Sequence, residues 1–266
     1  MSIIEAIVLG IIQGLTEFLP VSSSGHLELA KVIFGSEVAA KESMLFTIAL
    51  HAATALSTVV VFRRDIIQIF RDIFAFKWNE STQFSWYIII SMIPVFIIGM
   101  AFKDEVESLF KGNIILVGSS LLFTALLLFF SGRYNAKAGK VNGVKAFIIG
   151  IAQAIAILPG VSRSGSTISV ALISGVSREQ AARFSFLMVL PVIAGAMLLE
   201  MKDFMEVQPQ RSIDNYSLLA GFSAAFFAGV LACNWMIQLV KRSKLDYFAL
   251  YCLLIGIGAI LYGLFS

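Results

Sequence analysis

The sequence predicts an all-α integral membrane protein, with six transmembrane helices plus two re-entrant helical hairpins in two inverted-topology repeats. Three observations predict this. The first is composition: 58% of the 266 residues are hydrophobic, 14% are charged and the mean hydropathy is +0.88. Soluble chains run nearer about 45–50% apolar and 25% charged. No soluble interior can hide so much apolar side chain, so lipid must solvate it. The second is six apolar runs of spanning length, at 45–62, 84–102, 113–131, 184–199, 216–240 and 246–265. The third is a pair of apolar segments that break at polar loops and match each other.

The broken segments carry the topology. Residues 3–19 are apolar but stop at Pro20, followed by Ser22-Ser23-Ser24-Gly25. Residues 144–158 stop at Pro159-Gly160, followed by Ser162-Arg163-Ser164-Gly165. Each resumes as a short apolar stretch, 27–34 and 167–173. Helix, polar loop and half-length helix predict a hairpin whose loop meets protein or a wet cavity, since lipid cannot satisfy open backbone.

A shift of 140 places Ala6, Gly10, Ile11, Gln13, Val21, Ser22, Ser24 and Gly25 on identical residues, eight of twenty positions. It also carries Phe46 and Leu50 onto Phe186 and Leu190. This predicts a duplication into repeats 1–132 and 144–266, forming one integrated membrane domain. A hairpin returns to its own side and three spans are odd in number. The second repeat therefore starts on the opposite face.

Charge is consistent with that parity. Arg63, Arg64, Arg71 and Lys77 fall in one connection, and Arg133, Lys137, Lys140 and Lys145 in another. Arg178 with Arg183, and Lys241, Arg242 and Lys244, mark two more. The connections 103–111 and 200–214 are acidic on balance. Basic connections predict the cytoplasmic side, which puts both termini outside a bacterial inner membrane. The net charge of +3 is small and forms no basic face for nucleic acid. Cys233 and Cys252 lie in apolar runs and predict buried thiols rather than a disulfide. The first run has no basic start and no small-residue cleavage site, so no cleaved signal peptide is expected.

The two broken loops are the dense polar sites of the apolar chain. Gln13 and Glu17, four apart, share a helix face. A carboxylate at membrane depth costs about 2.5–3.5 kcal/mol and calls for a partner, for which Arg163 is the candidate. Converging loops bring Glu17, Ser22, Ser23, Ser24 and His26 against Ser162, Arg163, Ser164 and Thr167. Each loop opens a helix, whose free amides and positive end suit phosphate. Gly25 and Gly165 permit close backbone approach to an anion, and Arg163 offers a planar fork to phosphoryl oxygens. Two cradles fit a diphosphate, and the hydroxyls, His26 and Glu17 form a nucleophile and acid/base set. A polyprenyl diphosphate can enter such a site sideways with its tail among the membrane lipids. His51 reads as a core histidine, Glu28 with Lys31 as a surface pair near the hairpin mouth, and Pro94 and Pro191 as kinks.

Gln13-Gly14-Leu15-Thr16-Glu17-Phe18-Leu19-Pro20-Val21-Ser22-Ser23-Ser24-Gly25-His26 resembles the first signature of the undecaprenyl-diphosphate phosphatase family, also called the bacitracin-resistance protein family. The run Pro159 to Thr167 resembles its second, and Ser177 to Phe186 also looks typical. The resemblance covers essentially the whole chain. It implies hydrolysis of undecaprenyl diphosphate to the monophosphate and inorganic phosphate, recycling the lipid carrier for cell-wall synthesis and conferring bacitracin tolerance. It also implies a divalent metal, Mg²⁺ with Ca²⁺ as the alternative, held near Glu17. The family site carries over onto Glu17, Ser23, His26 and Arg163 as catalytic residues. On our reading of these residues Ser23 attacks the terminal phosphorus or orients a water that does, and His26 or Glu17 accepts the proton. Gln13, Ser22, Ser24, Gly25, Ser162, Ser164, Gly165 and Thr167 surround them as binding residues. Some members have Glu where Gln13 stands; glutamine is neither a base nor a strong metal ligand, so Gln13 is assigned to binding or orientation only. A transporter of polyprenyl phosphate or another anion is the rival reading, because inverted repeats with broken helices also build transporters. Oligomeric state is left open.

Overall fold

The structure, a computed structural model, describes residues 1–34, 44–102, 105, 109, 113–134, 138–207 and 213–265, which form helices and no strand. In chain order the helices are α1 (Ile3–Phe18), α2 (Ser23–Phe34), α3 (Met44–Val61), α4 (Arg63–Phe74), α5 (Glu80–Ala101), α6 (Ile114–Gly132), α7 (Gly143–Ile155), α8 (Arg163–Ile173), α9 (Arg178–Val207), α10 (Asn215–Lys241) and α11 (Asp246–Phe265). Their starts follow ordinary capping chemistry. Asn79, Asn113, Asn142, Ser162 and Asp214 each accept backbone amides of the first turn. Pro94 and Pro191 lie inside continuous helices.

The chain is a multi-pass membrane protein. α5, α6, α9 as far as Leu199, α10 and α11 are long and apolar enough to cross a bilayer. α3 supplies the sixth predicted span and meets α4 at a bend of 79°. The two broken segments form helix, loop and short helix at the expected places. The 16 residues of α1 reach about 24 Å and the 13 of α7 about 20 Å. Both fall short of a hydrocarbon core of roughly 30 Å.

One element differs from expectation. Residues 63–77 read in sequence only as a basic connection, yet 63–74 form α4. Ile66, Ile67, Ile69, Phe70, Ile73 and Phe74 recur at helical spacing, with Arg64, Gln68, Arg71 and Asp72 on the opposite face. Twelve residues are too few to span, so the helix was invisible to a search for spans.

The basic connections meet at one end of the bundle. Arg183 of α9 pairs with Asp65 of α4 at 2.6 Å, and Lys241 of α10 pairs with Glu179 of α9 at 2.7 Å. Lys140 pairs with Glu80 of α5 at 2.6 Å. Arg178 donates to the carbonyl of Tyr134 at 3.0 Å, just past α6. At this end α3, α6 and α10 finish while α5, α9 and α11 begin. Of the acidic connections, 103–111 lies outside the described residues save Glu105 and Leu109, and 200–214 does so at 208–212, its start being the end of α9; the side chain of Lys31 also lies outside them.

The broken helices pack across the chain. α1 lies on α10 and α7 lies on α5, each against a span from the other half. Glycine permits this: a Cβ at Gly10 would strike the backbone of Gly221, and one at Gly150 the backbone of Ser91. Small residues at such contacts let helices approach where no hydrophobic force drives them together in lipid. The matched pair Phe46 and Phe186 are both fully buried. Phe186 meets Phe18 edge-on at 5.8 Å, tying α9 to the end of α1. Such a pair is worth about 0.5–1.5 kcal/mol beyond its burial.

Candidate functional site

The two loops share a local design. Pro20 forces Leu19 out of the helical region, and α1 ends there. Ser22 then takes φ +72°, a left-handed conformation that costs a residue with a Cβ and clusters at functional sites. Its hydroxyl accepts the Gly25 amide at 3.2 Å, and its carbonyl accepts the His26 amide at 3.2 Å. In the second loop the turn strain falls instead on Gly160, at φ +89°. Ser162 accepts the Gly165 amide at 3.1 Å, and its carbonyl accepts the Ser166 amide at 2.8 Å. The hydroxyls of Ser22 and Ser24 are 3.3 Å apart, as are those of Ser162 and Ser164.

The loops touch. Ser24 Oγ accepts from the Gly160 amide at 3.4 Å, and Ser164 Oγ donates to the Leu19 carbonyl at 3.1 Å. Glu17 joins their side chains. Its Oε1 accepts from Arg163 Nη2 at 2.5 Å, and its Oε2 accepts from Ser23 Oγ at 2.9 Å and from Gln13 Nε2 at 3.1 Å. The Glu17 and Arg163 side chains are 10% and 15% exposed, so the pair is largely desolvated. Its attraction is correspondingly stronger than at a surface.

A cavity of about 440 Å³ opens on this cluster. Gln13, Glu17, Ser22, Ser23, Ser24, Ser162, Arg163 and Ser164 all line it. The amides of Ser23, Ser24, Arg163 and Ser164, in the first turns of α2 and α8, donate to no acceptor among the described residues. Four free donors and a guanidinium therefore surround one space.

Other expected site residues sit elsewhere. Gly25 and Gly165 are buried behind the cavity wall, and their amides are consumed within the loops. Thr167 is fully buried, bonded to Ser185 Oγ at 2.6 Å and to the Arg163 carbonyl at 2.8 Å. It braces α8 on α9. His26 lies outside the cavity lining. Its Nδ1 is 2.8 Å from the Ser22 carbonyl and its Nε2 2.8 Å from the Tyr251 hydroxyl, and the two rings stack. Of the two proton acceptors considered, Glu17 is the one hydrogen-bonded to Ser23 Oγ, at 2.9 Å.

Sequence reasoning missed several contributors. His51 lines the cavity rather than a core, and Glu28 lines it as well. Thr124 Oγ1 accepts the Ser162 amide at 3.0 Å, and the Ser185 carbonyl faces Arg163 Nη1 at 3.5 Å. Thr124 is one hydroxyl in an apolar span, and nothing in its spacing marks it. Ser185 falls in the family-like run 177–186, which carried no assigned role.

The residues present fit a divalent metal of small demands. Among the described residues no three His, Cys, Asp or Glu side chains form a ligand cluster. Gln13 Oε1, however, is buried without a partner one helical turn from Glu17. Mg²⁺ is typically held by one or two carboxylates plus substrate phosphates and water, and Glu17 supplies one such carboxylate.

Comparison with known proteins identifies the family of the chain. The family model described as bacitracin resistance protein BacA matches residues 6–258. The undecaprenyl-diphosphatase of Christiangramia forsetii is 56% identical over 263 residues, covering 98% of each chain. That of Bacteroides thetaiotaomicron is 48% identical over 263 residues, 98% of this chain and 99% of its own. That of Methanobrevibacter smithii is 38% identical over 273 residues, 97% of this chain and 96% of its own. With a family model matched over residues 6–258 and relatives matched nearly end to end, this chain belongs to the BacA bacitracin resistance protein family.

Proposed function

We propose that this protein hydrolyses undecaprenyl diphosphate to undecaprenyl phosphate and inorganic phosphate, recycling the carrier lipid of cell-wall synthesis and conferring bacitracin resistance. One observation carries the reading: the Glu17 carboxylate holds Ser23 on one oxygen and Arg163 on the other, in a cavity lined by two helix starts. This unites a nucleophile, its base and an anion receptor.

The diphosphate sits on the amides of Ser23, Ser24, Arg163 and Ser164. The Nη1 edge of Arg163 is only loosely engaged by Ser185 and turns to the terminal phosphoryl oxygens. Ser23 Oγ passes its proton to Glu17 Oε2 and forms a bond to the terminal phosphorus. The bond from that phosphorus to the bridging oxygen breaks, and undecaprenyl phosphate leaves with the electron pair. Glu17 releases its proton to cavity water. A second water then gives a proton to Glu17 as its oxygen bonds to the phosphoserine phosphorus; the P–Oγ bond breaks, Glu17 returns the proton to Ser23 Oγ, and orthophosphate leaves. Mg²⁺, held by Glu17 and the substrate phosphates, would neutralise phosphate charge when bound. Ser22, Ser24, Ser162 and Ser164 position the loops, and His26 and Thr167 hold them from behind.

The opposed helix directions at the basic end support an inverted relation between residues 1–132 and 144–266. With basic connections cytoplasmic, both termini are external. Leu27, Glu28 and Thr47 in the cavity wall then open the site outward. The deciding assay is orthophosphate release from undecaprenyl diphosphate by the purified protein in detergent. Activity lost in Glu17→Ala and Arg163→Ala supports the reading. A wild-type protein that releases none would sink it and leave transport as the alternative.

A further inference from the structure

A second polar cavity, of about 360 Å³, lies at the bend between α3 and α4. Val60, Val61, Arg63 and Arg64 line one side, and Val230 and Asn234 of α10 the other. Asp65 is also in the wall, but Arg183 already engages it at 2.6 Å. Arg63 Nη1 donates to the Val60 carbonyl at 3.2 Å. Neither Arg63 nor Arg64 has a carboxylate partner among the described residues. Two guanidinium groups thus share a cavity with no free counter-ion.

The surroundings are apolar and outward-facing. Phe227, Leu231 and Trp235 of α10 are 66%, 71% and 54% exposed, and Ile67 of α4 is 64% exposed. On a membrane protein such side chains face lipid. The cavity therefore lies where acyl chains give way to headgroups, a depth that Trp235 also favours. An anion bound here must bring apolar surface with it to cover α10. Free phosphate or a carboxylate metabolite does not.

We propose that the α3–α4 bend is a binding site for one anionic phospholipid of the surrounding leaflet. Its phosphate is held between Arg63 and Arg64, and its acyl chains lie along Phe227 and Leu231. The headgroup phosphate supplies the charge-assisted acceptors that both guanidiniums lack. This site is separate from the Glu17 cavity and does not rest on the proposed reaction.

Native mass spectrometry of the delipidated full chain, titrated with equal phosphatidylglycerol and phosphatidylcholine, tests it. The wild type should retain phosphatidylglycerol preferentially. Removing each arginine in Arg63→Gln and Arg64→Gln should weaken that preference about five-fold. Hydrogen exchange on the wild type needs no variant: phosphatidylglycerol nanodiscs should slow exchange at 60–66 relative to phosphatidylcholine nanodiscs. Inorganic phosphate in detergent should not. A wild type without lipid preference, a preference unchanged in the double variant, or full protection by inorganic phosphate alone would each overturn the assignment.

Discussion

Arg163 and Glu17, 146 residues apart in the chain, meet as one largely buried ion pair, Nη2 to Oε1 at 2.5 Å. The same carboxylate accepts from Ser23 at 2.9 Å. The pair is thus both a clasp between the two broken loops and the centre of the site. Truncating one partner of a buried pair strands the other and costs about 3–5 kcal/mol. Glu17→Ala and Arg163→Ala should each lower detergent thermal stability and cut phosphate release at least about 10²-fold. The double variant should lose less stability than the two singles summed. Additive losses in that cycle would deny the coupling.

Ser23 and His26 separate the chemistry from its support. Ser23→Ala should lose roughly 10²–10⁴-fold in turnover, and rapid quench with labelled substrate should trap phosphoserine on the wild type. His26→Ala and Tyr251→Phe should each cost about 2–10-fold, the kinetic equivalent of a hydrogen bond, with an unchanged pH–rate profile. A His26→Ala loss as deep as that of Glu17→Ala, with an altered profile, would place His26 in proton transfer.

Thr124 tests how the second loop is held. In Thr124→Val the buried Ser162 amide loses its acceptor, at a cost of about 1–3 kcal/mol. Thermal unfolding should show that loss, and phosphate release should fall with it. Thr124→Ser keeps the hydroxyl and should restore most of both. Equal behaviour of the two variants would show that the bond is unimportant.

Gly150 tests the crossed packing. Its Cβ position meets the Ser91 backbone, whereas nothing lies within 4 Å of the Cβ position at Gly195. Gly150→Leu should separate α7 from α5, costing about 1–3 kcal/mol or more, and should reduce the yield of monodisperse protein. Gly195→Ala should be neutral or slightly stabilising, since alanine is the better helix former. Size-exclusion chromatography and melting in one detergent compare the two.

The spans were legible because lipid reads only length and hydropathy. α5, α6, α10 and α11 lie within a few residues of their apolar runs. α9 differs more, running on from its span to Val207. The broken loops were legible because Pro, Gly and Ser interrupt an apolar helix for few reasons, and their repetition removed chance. α4 escaped because its period, not its hydropathy, is the signal. His51 was misplaced because a sequence does not say which side of a helix a cavity lies on.

By itself the sequence determined that the chain lives in lipid, that it breaks twice at matched polar loops, and that Glu17 and Arg163 both needed partners there. Those are properties of local composition and spacing. The tertiary structure bore out the pairing of Glu17 with Arg163 that the sequence proposed, and it alone decided that Ser23 shares the carboxylate and that His26 and Thr167 stand behind the wall. Those choices depend on how α1 crosses α10 and α7 crosses α5. Such contacts join residues far apart in the chain and are set by close packing against glycine, which no single segment encodes.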